Sequence, residues 1–248
     1  MRLTPKQVYD KLLNEDKILT LEGQIRFELG NVNIIVKQRD VVGNIIQEWL
    51  EGWFKENKID YATEENTQMP PDFYLEPGNK THNLLEVKAF NYDAQPGFDI
   101  ADFKMFSEEL IKKPFMLDVD YLIFGYTMSD DGVVIIKDLW LKKVWQILRP
   151  MTNYPINLQI KRDEAHKIRP GVWYEKKGKA SRKSDKNIPI FSSLEDFLSA
   201  FEETVYVRKE THQTSSDWKK RFVDSYKKFF NKEIDFPRWS EIRNKYYK

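Results

Sequence analysis

The nine residues Asp120-Tyr-Leu-Ile-Phe-Gly-Tyr-Thr-Met128 constrain this chain more than any other stretch. They have the length and composition of a buried strand, which requires cover from neighbouring structure. Ahead of them Ala101 to Lys112 reads as a helix, and ahead of that Leu84 to Phe90 reads as another strand, so the passage is a crossover from strand through helix to strand. Ser129-Asp-Asp-Gly132 then turns the chain into a further strand, Val133 to Trp140, and Leu141 to Arg149 looks helical. Upstream, Val41, Val42, Ile45, Ile46, Trp49, Leu50, Trp53 and Phe54 recur in pairs four apart and predict a broad amphipathic helix from Val41 to Asn57. Pro5 to Leu13 reads as a short helix and Gly23 to Val36 as a hairpin-like stretch of alternating Ile, Phe and Val. Beyond Pro150 the texture changes: a basic segment with little periodicity leads to helices at Leu194–Tyr206, Asp217–Phe230 after a Ser215-Ser216 cap, and Pro237–Tyr247. The expected fold is α/β, a mixed central sheet flanked by helices with a C-terminal helical region. Residues 1–150 carry the core and 151–248 the basic segment and last helices, within one continuous domain.

Composition removes several classes of function. With no cysteine among 248 residues, a disulfide framework, a thiolate zinc site and a cysteine nucleophile are excluded. The charged start, MRLTPKQVYDKLL, lacks a signal-peptide core, and no apolar run approaches the roughly 18 residues of a membrane span, so a cytoplasmic protein without membrane contact is expected. No G-x-x-x-x-G-K-[ST] or G-x-G-x-x-G loop occurs, so no nucleotide cofactor is expected; His82, His166 and His212 form no metal motif. Net charge is only +1, but Lys161 to Lys186 holds ten Lys or Arg against four Asp or Glu, a regional basic patch.

The chemistry gathers between Pro71 and Lys88. The strand around Asp72 to Leu75 and the strand from Leu84 are joined by Glu76-Pro-Gly-Asn-Lys80, strong turn chemistry, and form an antiparallel hairpin. A turn centred on Asn79 pairs residue i with residue 158 minus i, which sets Asp72 opposite Glu86. Glu86 and Lys88, two apart on a strand, share a face. Opposed carboxylates cost up to about 1 kcal/mol, a repulsion that a divalent cation offsets. Magnesium takes one or two carboxylates and leaves the rest of its shell to water and phosphate, which suits phosphodiester hydrolysis, with a nearby ammonium stabilising charge or positioning the nucleophile.

These residues, P-D-x13-E-V-K on a helix, hairpin, helix, strand framework, resemble the signature of the PD-(D/E)XK nuclease superfamily over roughly Val41 to Trp140. The stretches LLEVKAFNYDAQPGFDIADF, DYLIFGY and LKKVWQI look further like the NgoBV and NlaIV group of type II restriction endonucleases, which read GGNNCC. The resemblance implies a restriction-endonuclease-like core, a Mg2+-dependent cut in double-stranded DNA, Asp72 and Glu86 as metal ligands, and Lys88 as their catalytic companion. It also implies an acidic residue from the preceding helix, for which Glu48 is the candidate. Phosphate contacts are expected from Lys161, Arg162, Arg169, Lys176, Lys177, Lys179, Arg182 and Lys183. One cluster per chain against two strands of a symmetric site implies a homodimer.

Plainer readings stand beside these. Asp72 could be a strand-entry residue after two prolines, Glu86 and Lys88 a solvated strand face, Glu48 a solvated helical residue, and the basic stretch an ordinary loop. A structure-specific repair or recombination nuclease of the same fold, and a DNA-binding module with an inactive core, are the alternative functions.

Overall fold

The computed structural model describes residues 1–63, 70–161, 164–175, 188–212 and 216–247. They group into two units, Met1–Phe98 with Val119–Lys142, and Asp99–Asp118 with Lys143 onward.

The first unit holds α1 (Pro5–Asp10), β1 (Glu22–Gln24), β2 (Arg26–Leu29), β3 (Val32–Ile35), α2 (Val42–Glu56), β4 (Ala62–Thr63), β5 (Phe73–Tyr74), β6 (Leu84–Asn91), β7 (Asp120–Met128) and β8 (Val133–Lys143). Helix α1 starts where Thr4 and Gln7 form a reciprocal capping box with Pro5 in the first turn. Helix α2 has no side-chain N-cap, and the burial of Val42, Ile46, Leu50 and Phe54 along one stripe is what holds it.

Among the described residues the main sheet has six strands in the order β1-β8-β7-β6-β5-β4. It is mixed: β6 and β7 are parallel, while β1 pairs antiparallel with β8, β4 with β5, and β5 with β6. The parallel pair is its centre, with Tyr121, Leu122, Ile123 and Phe124 fully buried, as expected of a strand covered on both faces. Phe54 of α2 meets Phe73 of β5 edge-on at 5.2 Å and Tyr61 at 5.3 Å, which fixes the helix against the hairpin that carries the site. Across β7, Trp140 of β8 stacks on Phe90 of β6 at 5.8 Å and on Tyr92, just past the end of β6, at 6.3 Å. Gly125 lies beneath those rings, and a Cβ there would stand 2.8 Å from Tyr92 and 3.0 Å from Trp140.

The second unit holds α3 (Phe103–Lys112), the hairpin β9 (Leu158–Lys161) and β10 (Glu164–Ile168), then α4 (Leu194–Val207), α5 (Lys209–His212), α6 (Trp218–Phe230) and α7 (Trp239–Ile242). Its core is aromatic: Phe103, Phe106, Phe201, Trp218 and Phe222 are buried together, and Trp218 Nε1 donates to the Ser107 carbonyl at 2.9 Å. No described helix is long and apolar enough to cross a membrane.

Three sequence expectations need correction. Leu141 to Arg149 is not a helix: β8 continues to Lys143 and is followed by a single 3-10 turn, Val144–Ile147. The helix expected over Pro237–Tyr247 is reduced to α7 and a 3-10 turn, Arg243–Lys245. The basic segment after Pro150 starts with a β-hairpin whose register shifts between Ala165 and Lys167, an irregularity that hides the two-residue alternation.

Candidate active site

The site is built where α2, β5 and β6 meet. The chain turns between β5 and β6 through Gly78, at φ +92, and through Asn79, whose side-chain oxygen accepts from the Thr81 backbone N–H and hydroxyl. Phe73 pairs with Leu85 and Tyr74 with Leu84, the register expected for a turn centred on Asn79. Asp72 therefore enters the sheet at the level of Glu86.

The two carboxylates are held differently. Asp72 accepts from the Val87 backbone N–H at 2.8 Å through one oxygen and from Gln47 Nε2 of α2 at 3.0 Å through the other. Burial pushes its carboxyl up, against the pull of the Val87 N–H, Lys88 and Gln47. Glu86 is only 4% exposed. Its Oε1 is 2.7 Å from Lys88 Nζ, while its Oε2 is buried without a hydrogen-bond partner. Burial raises the Glu86 carboxyl to about 7; Lys88 opposes the rise and the Asp72 charge adds to it. Beside Glu86 in the parallel register stands Tyr121 of β7, fully buried, its hydroxyl likewise without a hydrogen-bond partner.

This arrangement fits a hard cation. A buried carboxylate oxygen with no partner is costly, and a carboxyl driven up by burial and by a like charge gains most from a nearby positive charge. Asp72 and Glu86 supply the oxygen donors such an ion takes, and Lys88 places an ammonium beside them.

Glu48, the residue expected from the preceding helix, is exposed and lines a cleft of about 400 Å3 with Asn44, Gln47, Glu51, Asp72 and Phe73. Glu48 and Asp72 thus open onto the same cleft, while among the described residues no group of three His, Asp or Glu side chains is already gathered as a metal cluster. The α2 side chain that touches Asp72 is Gln47. Sequence reasoning passed over it because an amide carries no charge to mark it, and it passed over Tyr121 because that residue sits in an apolar run with nothing to separate it from core.

Of the residues expected to contact phosphate, Lys161 ends β9 in solvent and Arg169 pairs with Asp99 at 3.0 Å. Arg162, Lys176, Lys177, Lys179, Arg182 and Lys183 lie outside the described residues.

A mixed sheet with a parallel centre, flanked by helices and carrying an acidic pair and a lysine on one hairpin, defines a restriction-endonuclease-like α/β protein. Residues 2–246 match the model of the family described as "NgoBV restriction endonuclease", and the chain belongs to that family of type II, site-specific deoxyribonucleases. It is 59% identical over its full length to the type II restriction enzyme NlaIV of Neisseria lactamica, covering 99% of that protein. Over 162 residues, 65% of this chain and 92% of the relative, it is 57% identical to the type II restriction enzyme NgoBV of Neisseria gonorrhoeae. Its structure matches that of the NlaIV restriction endonuclease with a TM-score of 0.93 at 59% identity, over 100% of this chain and 98% of the other.

Proposed function

We propose that Asp72, Glu86 and Lys88 are the catalytic centre at which this restriction endonuclease hydrolyses phosphodiester bonds of double-stranded DNA, with Asp72 and Glu86 holding Mg2+. The observation that carries the reading is the buried, unpartnered Oε2 of Glu86 beside an anchored Asp72 and a lysine 2.7 Å from its other oxygen. Bound there, the ion would neutralise the paired carboxylates and polarise the scissile phosphate. The chain's own residues do the rest. The Val87 N–H and the Gln47 amide fix the Asp72 carboxylate so that it does not reorganise when the phosphate arrives. The Lys88 Nζ, 2.7 Å from Glu86 Oε1, is placed to stabilise the negative charge that grows on the phosphate as water attacks and one P–O bond breaks.

We infer GGNNCC as the recognition sequence from the likeness to the NgoBV and NlaIV group, and a homodimer as the acting unit, since one such cluster per chain must serve two antiparallel strands. The basic residues after Lys161 are proposed to supply phosphate contacts, and the cysteine-free chain suits a reducing cytoplasm.

Digestion of a sequenced plasmid with and without Mg2+, with the fragment ends read, tests this. Discrete fragments ending at GGNNCC are expected, and only with the metal. Asp72→Ala and Glu86→Ala should abolish cleavage, and Lys88→Ala should slow it on the order of a hundredfold while DNA binding, followed by gel shift, persists. Full activity in any of the three removes the assignment.

A further inference from the structure

The β2–β3 ribbon presents its apolar face to solvent. Phe27 pairs with Ile34 and Leu29 with Val32, and directly opposed residues on neighbouring strands share a face. These four side chains are 55%, 50%, 72% and 64% exposed. The other face carries Arg26, Glu28, Asn33 and Ile35. The strands alternate as a half-buried ribbon should, yet nothing in the described chain covers the apolar side. A two-stranded ribbon alone is marginal in water, and contiguous apolar surface of several hundred Å2 marks an interface.

The surface does not stop at the ribbon. Ile25, the residue just before β2, lines a groove of about 200 Å3 together with Leu21, Ile45 and Trp49. Leu21 and Trp49 at its rim are 48% and 40% exposed. Six large side chains about half exposed, at ~200 Å2 each, offer roughly 650 Å2, close to the ~800 Å2 that each partner brings to a standard-size interface. Glu22, Arg26 and Glu28 give the segment a net negative charge, the wrong sign for a DNA backbone.

We propose that this face, ribbon and groove together, is where a second copy of the chain docks. The surface meets itself about a twofold axis, Phe27, Leu29, Val32 and Ile34 of each copy packing against the other's apolar side. The inference rests on the two-copy reading above and adds where the copies join.

Sedimentation velocity without DNA or metal tests both. Wild type should run as a two-chain species at micromolar concentration, and the double variant Leu29→Glu, Val32→Glu as a single chain with unchanged helical circular dichroism, its dimer dissociation constant raised at least tenfold. Because the chain has no cysteine, Leu29→Cys gives an independent readout that does not depend on how the charged variant folds. On oxidation it should form a disulfide-linked pair much faster than Lys6→Cys, at an exposed position of α1. A single-chain wild type overturns the pairing and the interface alike. A pair that survives the double variant, or a Leu29→Cys chain that cross-links no faster than the Lys6→Cys control, overturns the interface alone.

Discussion

At Glu86 an ionisable oxygen sits where water does not reach, and this has a measurable consequence. Burial lifts the carboxyl from 4.5 to about 7. Between those values the folded chain keeps a proton that the unfolded chain has released, so stability falls as pH rises through that window. A gap of that size corresponds to about 3 kcal/mol. Metal-free wild type should therefore lose melting temperature from pH 5 to 8 relative to Glu86→Gln, which lacks the titrating group. Parallel urea or thermal melts across that range decide the matter; equal pH slopes would sink the account. Gln47 donates to Asp72, so on the proposed metal site it is a positioning residue, and groups that orient a ligating carboxylate are worth about tenfold or more in metal affinity. Gln47→Ala should shift the Mg2+ concentration for half-maximal cleavage upward about tenfold, while the rate at saturating metal largely recovers. An unchanged metal dependence would leave Gln47 as packing only.

Gly125 shows what one element demands of its neighbours. It lies in β7 under Tyr92 and Trp140, and an added Cβ would press into both rings. Gly125→Ala should cost about 1–3 kcal/mol through overpacking, read as a lower denaturation midpoint with an unchanged denaturant slope. A neutral effect would mean that the stacked rings shift freely. Elements were legible in sequence where a single period dominates. The α2 stripe and β7 stand where the apolar pattern put them, and the Pro-Gly-Asn turn was enough to give the Phe73–Leu85 register. Legibility failed where two periods fit the same residues. Val144 to Ile147 carries apolar residues at helical spacing but follows a strand already committed to the sheet, so only one tight turn forms. The bulged β9–β10 hairpin offered no clean alternation to read.

Over the whole molecule, a ligand that binds only the folded chain stabilises all of it by mass action. At a hundred times its dissociation constant, Mg2+ should add about 2.7 kcal/mol to wild type and little to Asp72→Ala or Glu86→Ala, measured by thermal melts with and without chelator. Equal stabilisation of all three would place the ion elsewhere. The amino-acid sequence by itself determined the chemistry available to this protein: a cysteine-free α/β chain, an acidic pair and a lysine spaced for one hairpin, and apolar runs that must be covered. Those follow from composition and from periods that act over a few residues. Tertiary structure alone decided that Gln47 donates to Asp72, that Tyr121 lies beside Glu86, and that Asp99–Asp118 joins the second unit although it connects β6 to β7 of the first. It also decided that one face of the β2–β3 ribbon stays bare. Each of these depends on which distant segments meet, and the geometry of a contact between remote residues is set by the packing of the whole core, which no local pattern encodes.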